Sequence, residues 1–424
     1  MNTVPVVVIR ASDNCFLDVL HCFAEENVPV IPVIFSWEGA SAWISEKSIF
    51  FHDPVCIKNP AEDEFVAARQ MEQLGQKLLA QFGCKIMLIA TSDTALVFVN
   101  RHYEILGRYF LQPGGHNFNQ TCWKELRKDS FYRTMQAHNV PIPLTISVNG
   151  PDDISAAVEH MVYPCVYKPS IKTIDNAFQR IHNGRKAVEC QTEEELRERL
   201  RQEVEAGFDV VVQEKIEFDR LEEEVSCYLY SDDRDNIRMI SAQHKIMEFP
   251  AKYGTGVVSQ TFFSEDLAAL AVKTIRALHW HGFLGVELMF SKKHQRWVVI
   301  EANLRPWLSN YFQAVAGFNY LTMLYKDAIG LLKPYGETKC PDGKHIIYRV
   351  NLAQMVKKCV CECTSTEEAL QKVEDFISNH QGKIVFTYAI PEDPAPGRYE
   401  IAMLREAYPH HEAAFDRIEQ LVFA

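Results

Sequence analysis

The sequence predicts a protein of mixed α/β and α+β class, with an N-terminal α/β domain, a central domain and a small C-terminal α+β tail. Its 424 residues exceed what one ordinary hydrophobic core accommodates. Apolar runs of strand length alternate with amphipathic helical segments near the N-terminus, which is typical of a parallel sheet covered by helices. The pattern breaks near residue 115 and again near residue 331. We therefore place the predicted domains at residues 1–115, 116–330 and 331–424.

The composition is that of a soluble globular protein, with 47% hydrophobic and 24% charged residues. A formal charge of -12 argues against a broad basic face, so we expect no nucleic-acid partner. No apolar run reaches the roughly 18 residues needed to cross a bilayer, and the first residues do not resemble a signal peptide. We therefore expect a cytoplasmic protein without a membrane partner, whose 12 cysteines stay reduced. A homodimer is the default expectation for its oligomeric state.

Alternating strands and helices predict the N-terminal domain. The expected strands are Val4–Ile9, Val28–Phe35 and Lys85–Ala90, and the expected helices are Asn14–Glu26 and Ala61–Phe82. Gly83 ends the second helix, because glycine readily adopts the left-handed conformation found at helix ends. Ligands of a parallel sheet bind at the carboxyl ends of its strands, and here the turns Ser12-Asp13 and Ser92-Asp93 follow two of them.

The central domain is predicted to contain both helices and strands. Its expected helices are Lys128–Asn139, Thr192–Ala206 and Ser264–His281, and its expected strands are Tyr163–Pro169, Val210–Gln213, Glu222–Tyr230, Gly285–Phe290 and Trp297–Glu301. The polar stretch 170–186 is expected to form a mobile loop.

In the tail, three alternating cysteines predict one face of a strand: Cys359, Cys361 and Cys363. Ordinary packing is favoured over a metal site, because no partner Cys or His pair stands at a zinc-finger spacing.

Acidic residues in apolar surroundings define the candidate metal site. Glu287 lies inside one strand of a predicted hairpin, and Glu301 ends the next strand, two residues before Asn303. A carboxylate in so apolar a segment costs free energy unless it is paired or binds a metal. Alternation puts Glu301 and Asn303 on one face, and the hairpin brings Glu287 near them. These oxygen donors favour Mg²⁺, with Mn²⁺ as a second choice. An edge hairpin with solvated acids is the alternative.

Two lysines are candidates for binding a triphosphate. Lys128 begins a helix and Lys168 ends a strand, although either residue alone is more often a surface lysine. The strand that ends in Gln213, Glu214, Lys215 and Ile216 could offer backbone groups to a purine edge. Glu222, Glu223 and Glu224 lie just beyond it, and any one of them could hold ribose hydroxyls or be a solvated acid.

Taken in order along the chain, these residues resemble the motifs of the ATP-grasp superfamily, over roughly residues 5–330. The order is Lys128, Lys168-Pro169, Gln213–Ile216, Glu287 and Glu301-Ala302-Asn303. Within the superfamily the chain is most similar to carboxylate–amine ligases of the D-aspartate ligase type. The shared features are the turns Ser12-Asp13 and Ser92-Asp93, the helix start Lys128…Ser130-Phe131-Tyr132, Gly184-Arg185-Lys186 and Glu301-x-Asn303-Leu304-Arg305.

The resemblance implies an ATP-grasp fold with an N-terminal Rossmann-like (pre-ATP-grasp) domain and a central two-lobed ATP-binding domain. Its small lobe would span about 140–215 and its large lobe about 216–330. Lys128 and Lys168 would bind the phosphates, and Glu287, Glu301 and Asn303 would hold Mg²⁺. The adenine and ribose would meet Gln213, Glu214, Lys215, Ile216, Glu222 and Glu224. Arg305 and Lys168 would act in catalysis at the acyl-phosphate.

The activity implied by the resemblance is ADP-forming ligation of a small carboxylate to an amine, with amino acids or a peptide as substrates. Three alternatives stay open: an ATP-grasp carboxylase or kinase-like enzyme, a non-catalytic nucleotide-binding module, and a protein whose tail carries an interaction function. The turn Pro306-Trp307-Leu308 departs from the small polar residues expected after Arg305, so the acceptor stays unidentified. Candidate substrate contacts are Arg10, Lys245, Tyr253 and Arg305.

Overall fold

The computed structural model describes residues 4–11, 13–36, 43–113, 127–171, 173–251, 254–333, 336, 338–341 and 345–424. Ser12, Lys172 and Tyr253 lie outside the described residues. No helix within these ranges is both long enough and apolar enough to cross a membrane.

The N-terminal region forms the predicted parallel sheet. Its five strands are ordered β3-β2-β1-β4-β5, where β1 is Val6–Arg10, β2 Val30–Ser36, β3 Val55–Lys58, β4 Ile86–Ala90 and β5 Phe110–Leu111. The surrounding helices are Asp13–Ala24, Glu64–Phe82, Asp93–Arg101 and Tyr103–Leu106. β1 and β4 are buried along their whole length, as expected for strands covered by helices on both faces.

The longest helix of this region has the ends that its sequence predicts. The Asp63 side chain accepts a hydrogen bond from the Val66 amide at 3.0 Å and so caps the first turn. Gly83 ends the helix at φ 70°, the left-handed conformation that glycine adopts without steric penalty.

A four-stranded antiparallel sheet follows, ordered β6-β9-β7-β8. The strands are β6 Thr145–Val148, β7 Cys165–Pro169, β8 Val188–Cys190 and β9 Val210–Glu214, and the helices are Lys128–Ala137, Pro151–His160, Ala177–Ile181 and Glu193–Glu205. The expectation that 170–186 is only a loop was wrong, because Ala177–Ile181 is helical. Phe178 anchors that helix through an edge-on contact with the ring of Tyr167.

The largest sheet has seven strands, ordered β14-β13-β10-β11-β12-β15-β16. They are β10 Glu224–Ser231, β11 Ile237–Phe249, β12 Thr255–Phe262, β13 Gly282–Ser291, β14 Arg296–Asn303, β15 Tyr348–Val350 and β16 Ile384–Phe386. One face is apolar and packs against the helix Glu265–Leu278. The opposite face carries the predicted site residues, together with the helices Asn310–Val315 and Tyr320–Ala328.

The C-terminal tail contributes β15 and β16 to this sheet, beside four helices: Leu352–Glu362, Thr366–Asn379, Ala395–Ala407 and Glu412–Val422. The strand expected around the tail cysteines was wrong, since Cys359 and Cys361 lie on the first of these helices and Cys363 follows it. Leu352, Met355, Val356 and Cys359 are buried at helical spacing, so a 3.6-residue period prevails over the alternation of the cysteines. The proposed domain boundaries remain a prediction.

Candidate active site

Two carboxylates on adjacent strands form the centre of the candidate site. Glu287 on β13 lies directly opposite Glu301 on β14. Asn303 lies on the same face of β14, with Nδ2 3.5 Å from Oε1 of Glu287. A β-bulge follows this pair, because Leu288 pairs with Val299 and leaves Ile300 as the extra residue. The structure therefore brings together the three residues predicted to bind a metal.

The charge around Glu287 favours a bound cation. Burial raises the pKa of Glu287, and the neighbouring carboxylates Glu301 and Glu224 raise it further, against the opposing charges of Lys245 and Lys186. A cation held between the carboxylates would relieve this repulsion. Two carboxylates and one amide oxygen are donors that suit Mg²⁺. Within the described ranges no group of three or more His, Cys, Asp or Glu residues could hold a metal, so the set depends on Asn303.

Of the two predicted phosphate-binding lysines, Lys128 contacts this pair, and Lys168 contacts Tyr132 on the helix that Lys128 begins. Nζ of Lys128 lies 3.3 Å from Oε2 of Glu301, and Nζ of Lys168 donates to the Tyr132 hydroxyl at 2.8 Å. The Lys128 amide donates to the carbonyl of Ser170 at 2.6 Å, which joins the helix Lys128–Ala137 to the end of β7. The two ammonium groups and the two carboxylates thus share one surface.

Tyr132 connects these parts, although it was predicted only as part of a helix start. Its hydroxyl lies 3.2 Å from Oε1 of Gln213 and 2.5 Å from the carbonyl of the bulged Ile300, and donates to one of them at a time. Burial raises the pKa of Tyr132, so the hydroxyl stays protonated. In the sequence Tyr132 is a tyrosine on the apolar side of an amphipathic helix. Core packing explains a tyrosine at such a position equally well, so its part in the site could not be predicted.

The end of β9 is held by side-chain contacts to the hairpin turn between β13 and β14. The Glu214 carboxylate accepts the Leu144 amide at 2.9 Å and contacts Lys293 at 3.2 Å and His294 at 2.9 Å. Burial opposes ionisation of Glu214, but these hydrogen bonds lower its pKa below the ordinary value. Its side chain is therefore engaged within the protein, and an adenine here would meet the backbone instead.

The neighbouring residues predicted for the nucleotide differ in their contacts. Lys215 pairs with Glu189 at 2.7 Å, and the buried Gln213 donates to Thr145 at 2.8 Å. Ile216 is half-buried in the segment that follows β9.

The three consecutive glutamates Glu222, Glu223 and Glu224 also differ in their contacts. Glu222 is exposed on the short 3₁₀ helix Leu221–Glu223, whereas Glu223 accepts the Asp219 amide at 3.0 Å. Glu224 lies 2.5 Å from Nζ of Lys245. Glu222 is thus the most accessible of the three for a ribose.

Arg305 is tied to the N-terminal sheet. Its Nε donates to Asp93, which begins the helix after β4, and its Nη1 donates to the Pro306 carbonyl at 3.0 Å. Burial lowers the pKa of Arg305, but the charge of Asp93 outweighs burial and raises it. The arginine therefore stays charged and joins the predicted ligand edge of the first sheet to the end of β14. Its role at an acyl-phosphate stays a prediction.

The unexpected turn after Arg305 packs as part of the core. The Trp307 ring stacks on Tyr228, with ring centroids 4.2 Å apart and an interplanar angle of 11°. Gly285 makes room for this contact, since a Cβ there would lie 3.3 Å from the Trp307 ring. Packing thus accounts for the departure from small polar residues.

The chain is similar to several known proteins, although no protein-family model matches it. A D-aspartate ligase from Enterococcus faecium (strain Aus0004) is 24% identical over 346 residues, covering 80% of this chain and 78% of that protein. Among solved structures, carboxyaminoimidazole ribonucleotide synthase from Aspergillus clavatus, complexed with ATP, matches with a TM-score of 0.61 and 12% identity. That match covers 98% of this chain and 99% of the other.

An L-amino acid ligase from Bacillus licheniformis matches with a TM-score of 0.56 and 17% identity, covering 78% of this chain and 76% of that one. These similarities confirm the fold class and the resemblance that the sequence predicted. The chain is a distant relative of D-aspartate ligase and has the ATP-grasp fold.

Proposed function

We propose that this chain is an ATP-dependent carboxylate–amine ligase that forms an amide or peptide bond and releases ADP and phosphate. The observation that carries the proposal is the pairing of Glu287 with Glu301 opposite two lysines, Lys128 and Lys168. Opposed carboxylates and ammonium groups on one surface suit a metal-bound triphosphate. The similarity to two amino-acid ligases and to a structure complexed with ATP supports the same activity.

Most of the predicted site residues have a proposed task, and Gln213 and Glu224 are left to the contacts they make within the protein. Lys128 and Lys168 contact the phosphates, while Glu287, Glu301 and Asn303 would hold Mg²⁺, which neutralises phosphate charge when bound. The backbone after β9 receives the adenine, at Glu214, Lys215 and Ile216, and Glu222 reaches the ribose.

The proposed reaction has two steps. A substrate carboxylate oxygen attacks the γ-phosphorus, and the bond to the β,γ-bridging oxygen breaks, which gives an acyl-phosphate and ADP. The substrate amine then attacks the acyl carbon, the carbon–oxygen bond to phosphate breaks, and the amine loses a proton. Lys168 follows the charge of the transferred phosphoryl group, and Arg305 stabilises negative charge at the acyl carbon's oxygen.

The test is ADP release from Mg·ATP with a panel of L- and D-amino acids, supplied singly and in pairs. A parallel series contains hydroxylamine, which converts an acyl-phosphate into a stable hydroxamate and so needs no knowledge of the natural amine. We expect release that depends on a carboxylate and an amine and disappears in Glu301→Gln. Binding of Mg·ATP without release under any condition would contradict the proposal and favour a non-catalytic nucleotide-binding module. An absence of Mg·ATP binding would remove its basis altogether.

A second candidate is a carboxylase, favoured by the similarity to a synthase whose named product carries a carboxyl group. Bicarbonate would then be the acid that is activated. ADP release that requires bicarbonate and proceeds without any amino-acid carboxylate would favour this candidate over the ligase.

A further inference from the structure

A single buried carboxylate contacts both β7 and the segment 173–187, which leads into β8. Glu203, on the helix Glu193–Glu205, is only 4% exposed. Its Oε1 accepts a hydrogen bond from the hydroxyl of Tyr167, on β7, at 2.8 Å. Nε2 of His182, within the segment, lies 2.9 Å from the same oxygen. One carboxylate thus connects the strand with the segment that follows it.

The contact between His182 and Glu203 is incomplete. The two side chains are close, but they are not aligned for a hydrogen bond. Among the described residues, neither Nε2 of His182 nor Oε2 of Glu203 has a hydrogen-bond partner, and both atoms are buried. Native proteins rarely leave buried polar atoms in this state, because the lost hydrogen bonds with water are not replaced. A small movement of the segment towards the helix would complete the bond, so the segment has a second, tighter position available to it.

His182 is joined firmly to the short helix that precedes it. Its ring lies against that of Phe178 on the helix Ala177–Ile181, with ring centroids 4.3 Å apart. A tight turn follows, in which Gly184 has φ 82° and its amide donates back into the helix at 2.7 Å. Because the turn is fixed to the helix, a movement of His182 also moves the residues after the turn, including Lys186.

Lys186 carries this movement to the candidate active site. Tyr167 pairs with Val188, so Lys186, two residues earlier, lies beyond the end of the ladder, next to the end of β7 that carries Lys168. Lys186 is exposed, and its positive charge opposes the effect of burial on the pKa of Glu287. The segment therefore connects the contact with Glu203 to a cation that acts on the candidate metal site.

We propose that His182 and Glu203 form a latch, which closes when Mg·ATP binds and holds the segment 173–187 over the acyl-phosphate. The inference rests on the proposed ligase function. Closure completes the hydrogen bond between the two side chains, while the phosphates attract Lys186. Water that attacked the acyl carbon would displace phosphate and return the free carboxylate, so that ATP would be consumed without amide formation. The closed segment excludes this water. His182 and Glu203 touch no substrate and are positioning residues.

Trypsin can measure the position of the segment, because it cleaves after the exposed residues Arg180, Arg185 and Lys186. In the wild type we expect Mg·ATP to slow cleavage at these sites by about tenfold, since a closed segment is less accessible. His182→Phe keeps the ring packing against Phe178 but has no N–H donor, so Mg·ATP should slow its cleavage less than about twofold. His182→Gln retains a donor and should recover part of the protection.

The second measurement is the fraction of released ADP that appears as hydroxamate when hydroxylamine is present. We expect this fraction to fall at least about threefold in His182→Phe and in Glu203→Leu, because water reaches the acyl-phosphate. The double variant should lose no more than the worse single variant, since both changes remove one contact. Two controls on the same helix should change neither measurement. Leu200→Val tests the loss of stability at a buried position, and Glu198→Gln tests the loss of a surface charge.

Equal protection of the wild type and His182→Phe by Mg·ATP, with equal hydroxamate fractions, would overturn the latch while leaving the ligase intact. The same losses in Leu200→Val would also overturn it, because they would follow from reduced stability alone. If Glu203→Leu does not fold, the comparison of His182→Phe with His182→Gln decides the matter. If no acid supports ADP release although Mg·ATP binds, the ligase proposal itself is wrong, and the trypsin measurement alone then decides whether the latch exists.

Discussion

At the scale of single residues, the buried position of the Glu287 carboxyl lowers the stability of the folded protein. Its burial beside Glu301 and Glu224 raises its pKa, so ionisation of this carboxyl opposes folding. Such strain at a metal-binding carboxylate is expected when the site is shaped for a bound cation. The same residue is therefore expected to weaken the metal-free protein and to be required for turnover.

Replacing Glu287 with Gln tests this directly. Without its negative charge the metal-free protein should melt at a higher temperature at pH 8, and the gain should shrink as the pH falls towards the ordinary glutamate pKa. A raised carboxyl pKa destabilises the folded state only at pH values where the carboxyl is ionised in the unfolded chain. ADP formation should fall by at least about a hundredfold, because loss of a group that only orients a metal ligand already costs about 10–100-fold and Glu287 is proposed as a ligand itself. A variant that melts lower at pH 8 would contradict the repulsion argument.

Tyr132 is the second residue whose role can be measured. Tyr132→Phe removes the hydroxyl that Lys168 contacts, so Lys168 loses one of the contacts that position it. We expect the KM for ATP to rise by about tenfold and unfolding to become easier by about 1–2 kcal/mol, because buried partners lose a hydrogen bond. Tyr109→Phe removes a hydrogen bond at an exposed position and should change neither quantity. An unaltered KM in Tyr132→Phe would show that Lys168 needs no such support.

The site residues that the sequence predicted most clearly are charged residues within apolar segments of the chain. Glu287 and Glu301 stand out because carboxylates are rare in apolar strands. Tyr132 could not be found in this way, because a tyrosine on an apolar helix face is explained equally well by packing. The place of the tail in the largest sheet was not predicted either, because it depends on the long-range pairing of β15 with β12.

At the scale of elements, the hairpin between β13 and β14 positions more than the carboxylates. Its turn supplies Lys293 and His294 to the Glu214 carboxylate at the end of β9. The small antiparallel sheet is thereby joined to the largest sheet beside the predicted adenine position. Contacts between two elements at a ligand site fix the geometry with which both meet the ligand.

Glu214→Gln would test this connection. Glutamine retains an acceptor for the Leu144 amide but loses the charge that Lys293 and His294 contact. We expect a loss of about 1–2 kcal/mol in the free energy of unfolding, from the weakened charged hydrogen bonds. The KM for ATP should rise severalfold, with kcat little changed. Glu193→Gln, at an exposed helix position, is the control for the loss of a surface charge. Equal ATP kinetics in the two variants would argue against the connection.

Elements with a strong local pattern were predicted well, and those fixed by long-range pairing were not. β1 and β4 are short apolar runs, and the helix Glu64–Phe82 has clear signals at both ends. β11 and β12 were missed, because neither strand is a continuous apolar run like β1 or β4 and two register shifts interrupt the pairing between them. The alternating cysteines of the tail led to a wrong strand prediction. Alternation over five residues is weaker evidence than the row of apolar residues at helical spacing that is buried on the helix Leu352–Glu362.

At the scale of the whole molecule, the tail is bound to both other regions of the chain. Asp393 accepts hydrogen bonds from Ser48 and the Ile49 amide and contacts His21 at 3.0 Å. Burial lowers the pKa of His21, whereas for Asp393 the hydrogen bonds outweigh burial and lower its pKa. The N-terminal and C-terminal parts therefore share buried polar contacts.

Glu400 makes the stability of the whole chain depend on pH. Its carboxyl is buried on the helix Ala395–Ala407, and burial raises its pKa from 4.5 to about 7. The carboxyl ionises near pH 4.5 in the unfolded chain but only near pH 7 in the folded one. The free energy of unfolding therefore falls as the pH rises from about 4.5 through about 7. In urea unfolding, Glu400→Gln should match the wild type near pH 4.5 and exceed it at pH 8 by on the order of 3 kcal/mol. Glu406→Gln, exposed on the same helix, should show no such pH dependence.

The pairing of β15 with β12 has one more consequence. Without the tail, Val258, Ser259 and Gln260 would present unpaired backbone amides and carbonyls along the outer side of β12. An open strand of this kind is a template on which another polypeptide can add, and such additions lead to aggregation. The tail therefore also covers this edge of the sheet, so a chain shortened before β15 is expected to aggregate more readily.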